Sequence, residues 1–577
     1  MDPIALLRTV RPTPQHPLVL ELDLARGVIS QSPGHPLEAF RARHSASMRQ
    51  IRDGLTKAAQ DPKVAGLVVH IGSCPLDPAQ CDEIGELIAR FGEHKPTIAW
   101  SETFGELGNA TLAYRLASFA REIWIAPTGG LGLTGIQLAA TLLRGGLEKL
   151  DIEPQFAQRK EYKTAADQFA ATEITDAHRE MLQRIADSIV DDTITGVAAR
   201  RHLDPRAVRQ AVDNSPLAAE DALQAGLIDQ LGYRDEVYAE LRRRFGEEVG
   251  GEKEISLQYA HRYARAHGQG RLDGLLNRNR DAIGLVELSG AIVFGPSQPG
   301  PSSSSAGSDT IAAHLREAAR DEHVKAVVLR INSPGGSYIA SDTIRREVLQ
   351  LRKAGKPVIA SMGAVAASGG YYAAMGCDAI VANPTTLTGS IGVLAGKFVL
   401  GGLVDRLGLV REDILAGANA GWFSTQTPFD EDQWAKLNEW LDTVYADFTT
   451  KAAADRRMPL DEFEPLARGR VWTGADAHAR GLVDRIGGIA TALEMAADRV
   501  GVRLDSLQVR GVPALPWLEQ LKPAESSESR GVDATMTFPR ERLLTGSPED
   551  RLTALAEFVG IGLPHGVLAL PWQLTIR

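Results

Sequence analysis

The chain has 577 residues, room for several domains at ~100–200 residues each. Its 44% hydrophobic and 24% charged residues are the proportions of a folded globular protein and exclude a disordered or collagen-like chain. With 63 basic against 73 acidic residues the net charge is −10, a poor balance for gripping a phosphate backbone, and no nucleic-acid partner is expected. Three cysteines, Cys74, Cys81 and Cys377, are too few for a disulfide framework and read as reduced.

Residues 1–17 carry only a short apolar patch among prolines, well short of a signal-peptide core. No stretch reaches the ~18–20 consecutive apolar residues of a spanning helix. The expectation is a cytoplasmic protein or one in peripheral contact with a membrane. The first half then alternates strand and helix: LVLEL (18–22), a helix over 51–60 with apolar residues at i, i+3 and i+4, AGLVVHI (65–71), another helix, and PTIAW (96–100). Continuous apolar runs between helices indicate strands buried on both faces, in a parallel or mixed sheet with covering helices. Further along, Lys163 stands in EYKTAADQF between an aromatic and two alanines. The charged stretch 243–281 reads as a connector.

The second half repeats this order: GLVELSGAIVF (284–294), a Pro/Ser/Gly loop at 296–309, KAVVLRI (325–331) and PVIAS (357–361). The repetition extends to residues. IRDGLTKAAQDPKVAGLVVHI at 51–71 matches IAAHLREAARDEHVKAVVLRI at 311–331, an offset of 260. Lys95-Pro96 matches Lys356-Pro357 at 261, Tyr114 matches Tyr371 at 257, and Gly226-Leu227-Ile228-Asp229 matches Gly481-Leu482-Val483-Asp484 at 255. A period this long excludes a solenoid and means two homologous domains. The expected organisation is an N-terminal domain at 18–245, a connector at 246–281, a C-terminal domain at 282–505 and an extension at 506–577. Within the extension, 523–535 reads as mobile and the apolar 558–572 as a docked tail.

Chemistry is legible where the repeat breaks. After its second strand the C-terminal half has Asn332-Ser333-Pro334-Gly335-Gly336-Ser337, where the N-terminal half has Gly72-Ser73-Cys74-Pro75-Leu76. Glycines at a strand's C-terminal end let backbone N–H groups face a crevice. After the third strand comes Ala366-Ala367-Ser368-Gly369-Gly370-Tyr371, a serine at the start of an apolar helix, where unpaired N–H groups favour developing negative charge. Gly369 with Gly335 or Gly336 can form an oxyanion hole. The plainer alternative makes Ser368 a helix cap. A nucleophilic serine needs a base, and no histidine lies between His323 and His478. The remaining choices are a distant histidine such as His478, or a lysine made neutral by burial: Lys397, Lys436 or Lys451, or Lys163 from the first half. The counterpart of Lys163 in the second half is Phe423.

AASGGYY, NSPGGS, PTTLTGSIGV, EYKTAADQF and GRVWTGADAHARGLVDRIGG together resemble the long, duplicated form of the signal peptide peptidase A (protease IV) family over roughly residues 18–500. The resemblance implies a serine–lysine peptidase with two tandem crotonase-like or Clp-protease-like α/β domains. It also implies Ser368 as nucleophile, Lys163 as base, Ser390 as the residue that hydrogen-bonds the lysine, and a bowl-like homo-oligomer, with a tetramer as one form, that degrades cleaved signal peptides. The departure from the family is the membrane anchor common among its members, which this sequence does not show.

Two other classes compete. A crotonase-like acyl-CoA hydratase or hydrolase needs a catalytic carboxylate near the glycine loops, and SMGAVAASGGYYAAM offers none. A non-catalytic scaffold would have no reason to keep a serine–lysine pair. No metal-ligand spacing and no phosphate-binding loop is present, so no cofactor is expected. Tyr338, Tyr371 and Leu387, with Ile339 and Val393, are candidate borders of an apolar substrate cleft. The alternative for them is the core.

Overall fold

The computed structural model describes residues 16–29, 46–106, 108–249, 251–267, 279–298, 305–513 and 568–569. Residues 523–535 and most of 558–572 lie outside them. The described chain divides into two compact units, one built from 16–136 and 190–267, the other from 137–189 and from 279 onward.

The first unit holds a six-stranded, wholly parallel sheet in the order Gln230–Leu231, Glu122–Ile125, Thr97–Ser101, Val64–His70, Leu18–Asp23, Ser256–Tyr259. Alternation along the strands sends side chains to opposite faces. Leu18, Leu20, Leu22, Leu67 and Val69 pack with Ile51 and Leu55 of the Met48–Gln60 helix. Val19, Val68, Ile98 and Trp100 pack on the other face with Val237 and Leu241 of the Arg234–Phe245 helix. Each such side chain contributes about 1.5–3 kcal/mol on burial, so a sheet covered on both faces is self-supporting. Local signals agree with the packing: Met48–Gln60 opens on a Ser47–Gln50 capping box, and Pro78–Gly92 opens on Asp77–Gln80 with proline in its first turn.

The second unit repeats the sheet strand for strand: Arg485–Ile486, Ala379–Ala382, Val358–Ala367, Val324–Ser333, Ala282–Ser289, Gln508–Gly511, again all parallel. Its two faces are likewise buried, with Val286, Val327 and Leu329 on one side and Ile283, Leu285, Val328 and the Ile489–Arg499 helix on the other. The matched residues do matched work. Tyr114 donates its buried hydroxyl to the Leu227 carbonyl and Tyr371 to that of Leu482. Asp229 accepts from the Ile123 N–H at 2.7 Å and Asp484 from that of Ile380 at 2.7 Å. Lys95 and Lys356 each cap carbonyls at a helix C-terminus, those of Ala58 and Ala318 both at 2.8 Å.

The second unit also has additions. The Val358–Ala367 strand is 10 residues long where Thr97–Ser101 has 5. Its extra length pairs with Leu387–Gly389, which pairs in turn, antiparallel, with Val471–Thr473; the first unit has the same antiparallel edge pair in shorter form, Gly130–Leu131 with Leu217–Ala218, reached by a single bridge from Phe104 to Leu131. A small sheet runs Ala306–Gly307, Ile292–Val293, Gly335–Gly336, Leu568–Ala569. Residues 137–189 bring the Glu153–Gln158 strand, antiparallel to Leu394–Val399 over six residue pairs.

Candidate active site

The lengthened Val358–Ala367 strand delivers Ser368 straight onto the seven-residue Gly369–Met375 helix. Ser368 takes φ +54°, rare for a residue with a side chain, and its hydroxyl does not cap the helix. A backbone held in that region needs support from its surroundings. Here the Ser368 N–H donates to the Gly389 carbonyl at 2.8 Å. The plain helix-cap alternative is therefore not what the hydroxyl does. Ser390, at φ +52°, is fixed the same way, its N–H donating to the Arg470 carbonyl at 2.7 Å.

Lys163 reaches this point from the 137–189 segment. After Glu153–Gln158 the chain stays registered on the second unit through the Arg159 N–H and the Val393 carbonyl, 2.9 Å apart. It then turns Lys163 inward. The side chain is fully buried. Its Nζ lies 2.9 Å from Ser368 Oγ, 2.9 Å from Ser390 Oγ and 3.0 Å from the Ser390 carbonyl oxygen. Burial pushes its pKa well below the ordinary lysine value. A neutral amine has two N–H groups and one lone pair, which match this set. Charged, the amine donates to all three oxygens; once neutral, it would donate to the two Ser390 oxygens and accept from the Ser368 hydroxyl.

The seat for Lys163 is made of glycine. A methyl on Gly469 (φ +78°) would stand 2.5 Å from both the backbone nitrogen and Cβ of Lys163, and one on Gly392 would stand 3.2 Å from its Cδ. Charged contacts flank the seat. Glu161 accepts both arms of Arg468 at 2.8 and 2.9 Å, and Glu180 accepts from the Tyr162 hydroxyl at 2.7 Å and from Arg470 at 2.6 Å. Gly469 and Arg470 open the GRVWTG motif and Arg468 directly precedes it, and the sequence alone gives none of the three a role. No local pattern marks them, because their partners lie some 300 positions earlier in the chain.

Gly369, Gly335 and Gly336 come together. A Cβ on Gly369 would lie 3.2 Å from the Gly336 nitrogen, 3.2 Å from Gly335 Cα and 2.5 Å from Ser341 Oγ. The Gly335 N–H donates to Ser333 Oγ at 3.1 Å, which leaves Gly336 and Gly369 as the better-placed pair of donors. The substrate-border candidates fare differently. Tyr371 is fully buried, with its hydroxyl on the Leu482 carbonyl. Leu387 is buried on a paired strand, 6% exposed. Both belong to the core because the short helix and the strand they sit on are covered on every side. Tyr338 is half-buried and donates to Asp447 at 2.5 Å. Phe423, the counterpart of Lys163, is 54% exposed. Lys397 donates to the Trp422 and Ser424 carbonyls and Lys451 to Asp342, so both are occupied elsewhere. Among the described residues, no group of three or more His, Cys, Asp or Glu is placed to hold a metal.

Comparison with known proteins adds relatives to this geometry. A family model described as peptidase family S49 matches twice, over residues 89–247 and 350–503. The chloroplastic serine protease SPPA of Arabidopsis thaliana is 34% identical over 463 residues, covering 80% of this chain and 66% of the plant protein. Protease 4 of Salmonella typhi is 31% identical over 466 residues, 78% of this chain and 72% of that protein. A putative signal peptide peptidase SppA of Enterococcus faecium is 35% identical over 180 residues, 31% of this chain and 52% of that protein. Among solved structures, a mutant of the 1510-N membrane-bound stomatin-specific protease covers 40% of this chain and 97% of its own at 17% identity and a TM-score of 0.26. The chain thus spans just under two thirds of the plant relative and nearly three quarters of the Salmonella one.

Proposed function

Because this chain belongs to peptidase family S49, a family of serine proteases, we propose that it hydrolyses peptide bonds with Ser368 as nucleophile and Lys163 as general base. The observation that carries this reading is the fully buried Lys163 amine, 2.9 Å from Ser368 Oγ. Neutral Lys163 takes the hydroxyl proton as Ser368 Oγ attacks the scissile carbonyl. The N–H groups of Gly369 and Gly336 stabilise the oxyanion, each worth about 10²–10³ in rate at sites of this kind. The resulting ammonium gives its proton to the leaving amine, and an ester to Ser368 remains. Lys163 then accepts a proton from water, whose oxygen attacks the ester; as the acyl–Oγ bond breaks and the carboxylic acid leaves, the ammonium returns that proton to Ser368 Oγ and both groups are regenerated. Ser390 holds the amine in line throughout with both of its oxygens.

The substrates in this reading are apolar peptides, cleaved signal peptides among them. That class is suggested by the name of the Enterococcus relative and by the glycine edge at Gly335–Gly336, which an extended main chain can approach. The working form is a homo-oligomer, a tetramer being one candidate, in peripheral contact with a membrane. No helix among the described residues is long and apolar enough to cross one. Light scattering checks the oligomer, and co-sedimentation with vesicles checks the membrane contact.

The central test is a pair of variants in the full chain. Ser368→Ala and Lys163→Met should each lower kcat by at least ~10⁴, with the double variant no worse, since the two act as a unit. Circular dichroism should be unchanged. A serine-reactive phosphonate should label the parent at Ser368 alone. Retention of more than a trace of activity in Ser368→Ala would overturn the assignment.

A further inference from the structure

Two hydroxyls leave the elements that carry the oxyanion donors and meet at one carboxylate. Tyr338, just past Gly336, opens the Tyr338–Lys353 helix and donates to Asp447 Oδ2 at 2.5 Å. Tyr372, on the Gly369–Met375 helix, has its hydroxyl 3.0 Å from the same Asp447 oxygen and 3.0 Å from Asp342 Oδ1. The two rings meet edge to face, their centroids 5.8 Å apart. Lys451 completes the set: its ammonium donates to Asp342 at 2.8 Å, to Asp447 at 2.9 Å and to the Tyr372 hydroxyl at 3.0 Å. Asp447 and Lys451 lie one turn apart on the Glu431–Arg456 helix.

Ordinary helix packing does not need this arrangement. The Tyr338–Lys353 and Glu431–Arg456 helices are already joined further along by Arg345 and Asp455, with both bonds at 2.8 Å. The first unit shows the same. At the 260 offset Asp342 falls on Asp82, and Tyr338 falls on Pro78, the first residue of Pro78–Gly92. At the 257 offset Tyr372 falls on Arg115, which pairs with Asp82 at 2.7 Å and Asp192 at 2.5 Å. The first unit therefore keeps a polar tie to its short helix, but Pro78 has no side-chain donor with which to tie the turn before it. The hydroxyl beside the turn is found in the unit that has Gly336, Ser368 and Gly369. Burial by itself would raise the Asp447 carboxyl, but the bonds from Tyr338, Lys451 and Tyr372 outweigh it and hold the group below the usual carboxylate range. Hydrogen bonds to a carboxylate are roughly twice as strong as neutral ones, so this anchor is a firm one.

We infer that Asp447 is a positioning residue for the oxyanion hole: through Tyr338 it fixes the Gly336 N–H, through Tyr372 the Gly369 N–H, and so it sets the gap that receives the scissile carbonyl oxygen. This rests on the peptidase reading of Ser368 and Lys163. The two donors come from segments distant in the chain, and a Cβ on Gly369 would lie 3.2 Å from the Gly336 nitrogen. Gly335 and Gly336, at φ +101° and +151°, occupy backbone conformations that glycine leaves easily. An anchor on the residue that follows the turn limits that freedom. Donors aimed before the substrate arrives need no reorganisation as charge develops on the oxygen. Asp447 touches neither substrate nor the reacting atoms, so its contribution belongs in kcat.

The test compares variants of the full chain on an apolar reporter peptide. Asp447→Ala should lower kcat and kcat/KM equally, about tenfold to a hundredfold, with KM unchanged, as loss of a transition-state interaction does. Asp447→Asn keeps an oxygen acceptor and should recover part of that loss. Tyr338→Phe combined with Tyr372→Phe should match Asp447→Ala, because both ties end on one oxygen; if Asp447→Ala does not fold, this pair reads the same loss. Affinity for a peptide boronate, whose anionic adduct on Ser368 places an oxygen in the same hole, should fall by the factor seen in kcat. Asp455→Asn, which weakens the Arg345 pair between the same two helices, should lower the melting temperature by a few degrees and leave kcat unchanged. The basic limb of kcat/KM set by Lys163 should keep its midpoint in every variant. Unchanged kcat in Asp447→Ala would overturn the inference. So would a loss of kcat in Asp455→Asn equal to that in Asp447→Ala, a loss carried by KM, or a displaced basic limb, which would assign Asp447 to the fold, to substrate binding or to Lys163 respectively. A parent that neither cleaves the peptide nor takes the boronate would refute the peptidase reading and this inference with it, a result distinct from equal kcat in parent and variant.

Discussion

In the first unit the Thr97–Ser101 strand ends after 5 residues, and the following helix, Thr111–Ala117, has Ala110 at its N-cap. In the second unit the matching strand runs for 10 and hands Ser368 directly to a helix of the same length, Gly369–Met375. The six-strand order and the Tyr–carbonyl, Asp–N–H and Lys–carbonyl contacts are common to both. Both units also carry an antiparallel edge pair, Gly130–Leu131 with Leu217–Ala218 in the first and Leu387–Gly389 with Val471–Thr473 in the second. What differs is the strand extension, whose ladder to Leu387–Gly389 stands where the first unit has a single Phe104–Leu131 bridge, and the segment that brings Lys163 to the second unit. The shared contacts are therefore those that make a stable sheet, and the candidate chemistry stands where the two units differ.

The comparison is broken most severely at the lysine seat. Gly469→Ala puts a methyl 2.5 Å from the Lys163 backbone and forces a side chain into φ +78°. Its kcat should fall by about 10²-fold or more, since small misplacements of a base are costly, with KM less affected and the melting temperature down by a few degrees. Gly226→Ala in the first unit, at φ +69° with its nearest neighbour at 3.4 Å, should cost about 1 kcal/mol of stability and no activity. Equal kinetic losses in the two variants would show that Gly469 acts through the fold rather than through Lys163.

A second prediction uses pH. Lys163 is held well below the lysine value by burial, so kcat/KM should rise with pH along one basic limb whose midpoint lies below ~10.4. Stability follows the same group. Between its lowered folded pKa and the unfolded value near ~10.4, the unfolded chain binds more protons, so folding gains free energy as pH rises through that window. Lys163→Met lacks this dependence, and the difference in melting temperature between it and the parent should shift in the parent's favour from pH 7 to pH 10. A constant difference across that range would contradict a neutral buried amine.

The smallest effect sharpens the likeness of the two units. Tyr114→Phe and Tyr371→Phe each leave a buried carbonyl unpaired, that of Leu227 or Leu482, and each should cost about 1–3 kcal/mol in denaturation experiments. Similar costs would match the repeated geometry. A cost confined to one variant would mean that the hydroxyl contact matters in only one copy.

Much of this molecule is determined by the sequence alone. The strands follow from apolar runs whose alternate residues need cover on both faces, and the duplication from offsets that drift only between 255 and 261. Ser368, Gly335 and Gly336 stand out because they break the repeat. Other features were decided by tertiary structure. Residues 137–189 lie within the first repeat by position in the chain, yet they pack with the second unit, because the Glu153–Gln158 strand finds its hydrogen-bond partners in Leu394–Val399. Tyr371 and Leu387 look like cleft residues next to glycine motifs, but side-chain direction on a covered helix and a paired strand sends them into the core. The seat of Lys163 depends on Gly469 and Gly392, and the serine's poise on a positive φ held by the Gly389 carbonyl. These are contacts between segments distant in sequence. No local propensity encodes them, because close approach and burial exist only once the chain has folded.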